Sequence, residues 1–482
     1  MEGVIAEMSF PTRIVLGAGA VSRLGDWCRR LGMQKPLVVT DQGVVRAGLA
    51  ERISIELRKA GLQFGVFDRV EPNPTDKDAH DGLAAYREQG CDGIIALGGG
   101  SPLDAAKLVR LLTSHEGPIA RYDDVVDGGR FVTNPMPPLV AIPTTAGTGS
   151  EVSRSAVALL KETGRKTVIF APPLMPSVAL CDPELTYGLP PQPTAWTGMD
   201  AFTHNVEAFC AKGFHPLADA FAIDGVARVA RSLVKAVQQP RDLQARTDMM
   251  IAAMQGAAAF QKGLGACHAL AHAIGAYAPV NHGLTNAICL PAVMEFNRAA
   301  VPGRLAKIAV AMGERPDLGE ETLARRAVER TRELNKACGI PAGLREVGLR
   351  EEQLEEISHK AFADASHPSN PRACTREDLL AMLRASFEAP GPERSGPAPA
   401  FRRGSPGRPL SGARVPSHPV KQVLSADPRP QDPSKVKAKL LLTCGCTVTH
   451  ELSADRVIDA PSGPHVAGKY RCPLGHGPGT QG

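Results

Sequence analysis

The sequence predicts an α/β domain followed by an all-α domain, with an extension at the C-terminal end. Strand-like and helix-like stretches alternate over residues 1–185, which is typical of a parallel sheet with helices on both faces. Residues 186–389 instead carry apolar residues at helical spacing. Beyond residue 390 the composition changes abruptly. Because 482 residues are too many for one hydrophobic core, two or more domains are expected.

The elements of the first domain are short apolar strands separated by amphipathic helices. The predicted strands are KPLVVT (ending at Thr40), QFGVFD, CDGIIALGGG and PPLVAIPTT, and the predicted helices are Glu51–Gly61 and DAHDGLAAYREQG. The second domain is predicted to be helical throughout. Its helices are PPQPTAWTGMDAFTHNVEAFCA, Asp219–Val237, TDMMIAAMQGAAAFQ, LARRAVERTRELNKACG and REDLLAMLRASFEA. A cleft between two such domains is a usual place for a ligand.

The extension falls into two parts. Residues 390–435 hold eleven prolines with many Ser, Gly and Arg, so we expect a disordered linker. Residues 436–482 regain strand-like character and are either a small appended module or an unstructured tail. The side chains in CGC…CPLGH form a candidate zinc site, although this spacing is less specific than paired C-x-x-C motifs. They are Cys444, Cys446, Cys472 and His476.

The basic charge of the chain lies in this extension. The net charge is +5, but residues 391–482 carry 13 basic and 6 acidic residues while the first 390 carry 42 and 44. A nearly neutral main body argues against nucleic-acid binding as the function. We find no apolar run of membrane-spanning length and no secretory signal, and the 11 cysteines show no paired framework. We therefore expect a cytoplasmic protein with reduced thiols.

Two glycine-rich turns follow predicted strands of the first domain. ALGGGSPLDAAK, residues 96–107, opens a helix, where Ser101 and the backbone N–H groups suit a pyrophosphate. TTAGTGSE, residues 144–151, adds the hydroxyls of Thr144, Thr145, Thr148 and Ser150. The alternative for the first is a simple tight turn between strand and helix. Two such turns in one α/β domain favour a dinucleotide site.

Two further positions bear on that site. LGAGAVSRLG, residues 16–25, begins like a dinucleotide fingerprint but has Ser22 at the third glycine position, so we interpret it as a turn. Asp41 follows the strand LVVT, where a carboxylate accepts from a ribose hydroxyl and repels a 2′-phosphate. A helix N-cap is an equally good interpretation of Asp41 from spacing alone.

Metal-ligand residue types cluster in the second domain. Asp200 and His204 are four residues apart on one predicted helix, as are His268 and His272, and His282 follows after a turn. One carboxylate with imidazoles suits a borderline divalent cation. Spacing leaves open which four of these five side chains bind it.

The motifs GGGSPLD, TTAGTGSE, GMDAFTHNVEAF and CHALAHAIG…NHG resemble, in order, those of the iron-containing (group III) alcohol dehydrogenase family. The resemblance covers about residues 8–388 and implies a Rossmann-like nucleotide domain followed by a helical metal domain, on a dehydroquinate-synthase-like scaffold. It also implies NAD and Fe²⁺, with Zn²⁺ as an alternative that generally binds N/O sites more tightly. The extension is the departure from the family.

Carried over by position, the resemblance implies a role for each motif residue. The metal ligands would be Asp200, His204, His268 and His282, with His272 as a catalytic residue beside the nicotinamide and the substrate. Lys166 would reach the ribose or the nicotinamide, and Asp41 matches the position that favours NAD over NADP. Pyrophosphate would be held by Gly98, Gly99, Gly100, Ser101 and Asp104, and the nucleotide would be lined by Thr144, Thr145 and Thr148.

The implied activity is interconversion of a small primary alcohol, diol or ω-hydroxy acid with its aldehyde, in a homo-oligomer. The two alternative functions are those of a 4-hydroxybutyrate dehydrogenase and of a hydroxyacid–oxoacid transhydrogenase. A lyase on the same scaffold and a binding protein that acts through its extension are more distant ones. Lys262, in MQGAAAFQKGLG, would either meet a substrate carboxylate or be a solvated surface lysine.

Overall fold

The protein is described by a computed structural model. It describes residues 8–9, 12–162 and 164–388, together with the strand backbone at 417–429, 432–442, 447–453, 457–460, 463–466 and 469–471. Residues 1–394 form one compact unit and residues 395–482 a second, and each is treated by itself.

The first unit begins with a parallel sheet of six strands in the order β1-β8-β5-β4-β2-β3. An antiparallel hairpin of β6 and β7 is inserted between β5 and β8. The strands are β1 Arg13–Leu16, β2 Pro36–Val39, β3 Gly65–Phe67, β4 Gly93–Gly98, β5 Leu139–Pro143, β6 Ser155–Leu160, β7 Arg165–Phe170 and β8 Val178–Cys181.

Both faces of the sheet are buried. Alternate residues of the central strands enter two different apolar clusters, with Val38 and Ile95 in one and Leu37 and Ile94 in the other. Among the residues described, five α-helices accompany the strands, and their order confirms the predicted α/β domain. They are α1 Leu24–Arg30, α2 Gln42–Arg46, α3 Leu49–Lys59, α4 Asp76–Glu88 and α5 Gly100–Leu112. Strands buried on both faces read as continuous apolar runs, which is why the sequence reveals them.

The second half of this unit is helical, as predicted. Its helices are α6 Pro191–Cys210, α7 Pro216–Gln238, α8 Leu243–Ala259, α9 Ala266–Tyr277, α10 His282–Asn297, α11 Pro302–Ala311, α12 Glu320–Ala337, α13 Leu354–Phe362 and α14 Arg376–Phe387. Helices α6 and α10 are buried on nearly all sides. A helix in such a position is expected to be apolar all round, so the polar side chains that α6 buries require another explanation. None of the helices described is long and apolar enough to cross a membrane.

One local feature differs from the sequence-based expectations. The hairpin β6–β7 was not foreseen, although its alternating burial in Ser155–Leu160 is that of a strand with one covered face. The change from α/β to helical structure near residue 185 is not a break in packing, because residues on both sides belong to one compact unit. The turn at residues 16–25 forms as expected, with Gly17 and Gly19 at positive φ.

Glycines in the turn 144–151 explain this continuity. A Cβ on Gly147 would lie 2.8 Å from Thr197 Cβ on α6. Gly149 has φ +61°, and its Cβ would lie 2.5 Å from the carbonyl oxygen of Ala253 on α8. The turn that ends β5 therefore touches the backbones of two helices of the second half, and only glycine permits that approach.

The described part of the second unit consists of six strands: β9 Ser417–Arg429, β10 Asp432–Leu442, β11 Thr447–Ser453, β12 Val457–Ala460, β13 Gly463–Val466 and β14 Lys469–Arg471. Four of them form a sheet in the order β11-β10-β9-β14, and β12 pairs with β13. The range 390–435, predicted to be a linker, thus includes β9 and the start of β10. Its prolines do not prevent these strands, because the φ that proline imposes is compatible with extended backbone. The candidate zinc ligands Cys444, Cys446, Cys472 and His476 lie outside the described residues.

We predict that Gly149→Ala destabilises the protein more than Gly164→Ala. Both glycines have φ near +60°, but no described atom lies within 4 Å of a Cβ built on Gly164. The left-handed conformation costs about 1–2 kcal/mol at either site. The clash with α8 adds about 1–3 kcal/mol at Gly149 alone. Thermal and urea unfolding of the two variants measures the difference, and equal losses would contradict the close approach.

Candidate active site

Helix α6 places three polar side chains on one buried face. Asp200, His204 and Glu207 follow at intervals of four and three residues and are all buried. Helix α8 approaches α6 closely at this point, because a Cβ on Gly256 would lie 2.8 Å from His204 Cβ. A buried face with two carboxylates is costly unless a cation or hydrogen-bond donors compensate the charge.

Helix α9 brings His268 onto this face. The rings of His204 and His268 stack with their centroids 4.6 Å apart. One potential ligand atom from each of Asp200, His204 and His268 lies within 4.8 Å of the other two. Three of the four ligands that the resemblance implies are therefore close enough to share one cation.

His282, the fourth implied ligand, is the first residue of α10 and lies next to this cluster. Its Nε2 is 3.6 Å from Asp200 Oδ1. The buried amide of Asn286 fills the space between them, with its Nδ2 2.9 Å from Asp200 Oδ1 and 3.2 Å from His282 Nε2. Gly283 allows α10 to start here, because a Cβ on it would overlap the carbonyl oxygen of Trp196 and lie 3.1 Å from Asp200 Cβ.

The charges of this cluster suit a divalent cation. Burial lowers the pKa of His204 to about 4. Burial and the neighbouring imidazoles also lower the pKa of His282 well below its usual range. Both rings are thus neutral near pH 7, the form in which histidine binds metals. One carboxylate with neutral imidazoles fits a borderline divalent ion, so the residues present fit the implied metal.

His272, one turn after His268 on α9, lies beside the cluster. Its ring stacks on that of His282 with centroids 5.2 Å apart, and it meets His268 edge-on at 5.9 Å. Its Nδ1 is 3.0 Å from Asp364 Oδ2. His272 is thus within reach of the cluster but outside the group of three potential ligand atoms that converge.

The two glycine-rich turns pack against each other at the carboxyl ends of β4 and β5. Thr144 N donates to Gly98 O at 2.9 Å. A Cβ on Gly99 would lie 3.2 Å from Thr145 Cγ2, and one on Gly100 would lie 2.7 Å from Thr148 Cγ2. Helix α5 begins here, and the N-terminal end of a helix is a favourable position for a phosphate group.

Comparison with known proteins identifies the family. The sequence profile of iron-containing alcohol dehydrogenase matches residues 11–183, and that of the Fe-containing alcohol dehydrogenase family, C-terminal, matches residues 194–387. The chain belongs to the iron-containing alcohol dehydrogenase family. It is an oxidoreductase that acts on alcohols, which confirms the enzyme class expected from the motifs. Residues beyond 387 lie outside both matches.

Individual relatives match about four-fifths of the chain. A 4-hydroxybutyrate dehydrogenase from Cupriavidus necator is 41% identical over 392 residues, 80% of this chain and 100% of that protein. A 1,3-propanediol dehydrogenase from Klebsiella pneumoniae is 40% identical over 375 residues, 77% of this chain and 96% of that protein. The crystal structure of a 1,3-propanediol oxidoreductase superposes with a TM-score of 0.77 at 39% identity, covering 80% of this chain and 100% of that one.

In this alcohol dehydrogenase, Glu207 is a site residue that the sequence reasoning missed. It accepts hydrogen bonds from Cys267 N at 2.7 Å, from His268 N at 3.3 Å and from His268 Nδ1 at 2.6 Å. Burial lowers the pKa of His268, but the bond and charge of Glu207 outweigh it and raise that pKa. The signal was available, because Glu207 lies three residues after His204 on the same helical face. Glu207 orients His268 so that its Nε2 is directed at the cluster.

Two residues expected at the pyrophosphate form hydrogen bonds within the protein. Asp104 accepts from Ser150 Oγ at 2.6 Å and from Val157 N at 3.1 Å, so its carboxylate links α5 to the second turn and to β6. Ser101 Oγ accepts from Asn73 N at 3.3 Å. The structure therefore gives Asp104 a role in joining the two turns. A carboxylate in direct contact with an anionic diphosphate would be repelled by it, and the hydrogen bonds of Asp104 direct its oxygens to the protein instead.

Lys166 and Asp41 are the two remaining residues expected at the nucleotide. Lys166, on β7, extends its Nζ to 3.8 Å from where a Cβ of Gly275 on α9 would lie. Burial lowers its pKa, which the charges of Asp104 and Asp200 partly restore. Lys166 therefore lies between the turns and the metal cluster. Asp41 caps α2, accepting from Val44 N at 2.9 Å, so the N-cap interpretation of this residue holds.

Lys262 fits neither expectation. Its side chain is 1% exposed, and Nζ donates to Asp219 Oδ1 at 2.5 Å and to Phe209 O at 3.0 Å. A buried, paired ammonium is not a solvated surface lysine, nor is it available to a substrate carboxylate. Sequence alone could not reveal this, because the partner lies 43 residues away on α7.

We predict that Lys262→Met lowers stability without a selective loss of acid substrates. Asp219 keeps Arg304 at 3.1 Å. We therefore expect a loss of about 1–3 kcal/mol, smaller than that for an isolated buried pair. The KM for 4-hydroxybutyrate and that for 1,4-butanediol should stay in the wild-type ratio. Lys307→Met, at an exposed position, is the matched control. An increase in KM for the acid alone would restore Lys262 as a substrate contact.

Proposed function

We propose that this protein is an NAD-linked, divalent-metal-dependent dehydrogenase that interconverts a small primary alcohol and its aldehyde. The observation that carries the proposal is the meeting of Asp200, His204 and His268 on a buried face next to the turn 144–151. Metal and nucleotide would then lie side by side. Iron is proposed as the metal from the family's description, with zinc as the alternative.

The metal would be held by Asp200, His204, His268 and His282. A divalent cation there supplies Lewis acidity that lowers the pKa of an alcohol, and the nicotinamide supplies the hydride acceptor. Glu207 and Asn286 hold the ligand side chains in place through the hydrogen bonds described above. Glu207 and Asn286 are themselves buried, so bulk water does not compete for these hydrogen bonds.

The nucleotide would be held at the two glycine-rich turns. Backbone N–H groups at the start of α5 would bind its pyrophosphate, next to Gly98, Gly99, Gly100 and Ser101. Thr144, Thr145 and Thr148 would line it, and Lys166 would reach its ribose or nicotinamide side. Asp41 would disfavour a 2′-phosphate by charge repulsion, in addition to capping α2.

His272 would accept the proton that the alcohol loses. It is partly exposed beside the ligand cluster, so it connects the reacting oxygen with solvent. In the reductive direction it would return a proton to the product. The same reasoning assigns His268, which is buried and held by Glu207, to the metal rather than to proton transfer.

The proposed substrate is a three- or four-carbon primary alcohol with a second polar group at its far end. The support comes from the two relatives, which are named for 4-hydroxybutyrate and 1,3-propanediol. Because Lys262 is not available to a carboxylate, nothing at that position favours the acid over the diol. The expected homo-oligomer and cytoplasmic location stay predictions.

The first test is metal-dependent formation of NADH. We would remove the metal from the full chain with a chelator in the absence of oxygen and then add back Fe(II) or Zn(II). The absorbance of NADH would be followed with 4-hydroxybutyrate, 1,3-propanediol and ethanol as substrates. We expect activity with Fe(II) and NAD, and much less with NADP. Bound metal with no NADH from any alcohol would reject a dehydrogenase. Hydride transfer to an added oxoacid without free NADH would identify the transhydrogenase.

A pair of variants tests the division of labour on α9. His268→Ala should lose the metal, while His272→Ala should keep it and lose roughly 10²- to 10³-fold in kcat, a normal share for one acid–base group. Metal content is measured by mass spectrometry of the dialysed proteins. Equal metal loss in both variants would show that His272 is a ligand instead.

A further inference from the structure

Asp364 lies outside every motif considered so far, in the segment between α13 and α14. Its Oδ2 is 3.0 Å from Nδ1 of His272, and both side chains are about one-fifth exposed, at 21% and 19%. Its Oδ1 accepts from Ser366 N at 2.8 Å. One carboxylate oxygen therefore stabilises its own turn while the other contacts the histidine beside the metal cluster.

The segment that carries Asp364 is fixed to helix α9. Ser369 Oγ donates to Leu264 O at 2.9 Å, and the buried Asn370 accepts from Ala266 N at 3.2 Å. Both contacts lie at the N-terminal end of α9, just before His268. Asp364 and His272 are therefore held together by a rigid connection as well as by their own hydrogen bond.

The hydrogen bond selects one form of the neutral imidazole. A carboxylate can only accept here, so Nδ1 of His272 must carry the hydrogen. The other nitrogen, Nε2, is then a lone-pair acceptor, and none of the described residues hydrogen-bonds to it. An imidazole in this form can take a proton from an alcohol at Nε2, whereas the opposite tautomer cannot.

We propose that Asp364 is a positioning residue that holds His272 in the Nδ1–H tautomer and orients its Nε2 to receive the alcohol proton. This inference rests on the proposed function. In the oxidation, the carbinol carbon gives a hydride to NAD⁺ and the hydroxyl proton passes to Nε2, yielding aldehyde, NADH and an imidazolium. The carboxylate stabilises that imidazolium until Nε2 releases its proton to solvent.

Asp364→Asn separates this role from a structural one. The asparagine oxygen still accepts from Ser366 N, so the turn is kept, but the charge next to His272 is lost. We expect kcat to fall by roughly 10²-fold or more, with metal content and the KM for the alcohol unchanged. Asp317→Asn is the matched control, because it removes the charge of an exposed aspartate that pairs with Arg315, and it should keep the wild-type kcat. A normal kcat in Asp364→Asn would overturn the proposal.

A double-mutant cycle shows whether Asp364 acts through His272. In the His272→Ala background, Asp364→Asn should cause no further loss of kcat. A further loss of the same size would mean that the carboxylate acts independently of the histidine. That result would contradict the proposal, because a purely structural contribution would persist without the imidazole.

A spectroscopic measurement keeps the test independent of turnover and of how the variants fold. We would label histidine with ¹⁵N in the wild-type full chain, load it with Zn(II), and assign His272 by its loss in His272→Ala. We expect a protonated Nδ1 and an unprotonated Nε2. A protonated Nε2 would reject the proposal even if the enzyme is active. Absence of dehydrogenase activity in the wild type would instead reject the proposed function.

Discussion

The ion-pair and hydrogen-bond partners of the buried carboxylates on α6 determine how the rest of the site is built. Asp200 and Glu207 lie on one face of a helix that is buried nearly all round. Glu207 is satisfied by the first turn of α9, where it accepts from two backbone N–H groups and from His268. Within the described residues, the side chain of Asp200 accepts a hydrogen bond from one side chain, that of Asn286. One carboxylate thus fixes a neighbouring helix, and the other keeps charge available for a cation.

Close backbone approaches bring the nucleotide turns to that helix. Gly147 and Gly149 let the turn after β5 touch α6 and α8, and Gly283 lets α10 begin against α6. These contacts explain why an α/β half and a helical half form one compact unit. The glycines in TTAGTGSE and NHG therefore allow close packing between elements that are distant in sequence. A side chain at any of these positions would separate the elements that carry the ligands.

The sequence allowed much of this to be predicted, because fully buried parallel strands and long helices leave strong apolar patterns. It also placed Asp200, His204 and His268 in one cluster through their motif resemblance. What it could not supply were partners from other elements: Asp219 for Lys262, Ser150 and Val157 for Asp104. Asp364 was missed for the same reason, since it lies 92 residues from His272. Such pairs leave no periodic signal in a single sequence.

Helix α9 shows how neighbours, rather than spacing, assign chemistry to identical side chains. His268 and His272 are one turn apart, and each has Nδ1 held by a carboxylate, Glu207 in one case and Asp364 in the other. Both rings therefore leave Nε2 as the reactive nitrogen. The difference is position: His268 stacks on His204 and belongs with Asp200 to the group of converging potential ligand atoms, while His272 lies outside that group. An Nε2 that converges with other potential ligand atoms suits a lasting bond to a cation, and an Nε2 beside that group suits a proton that must leave after each turnover.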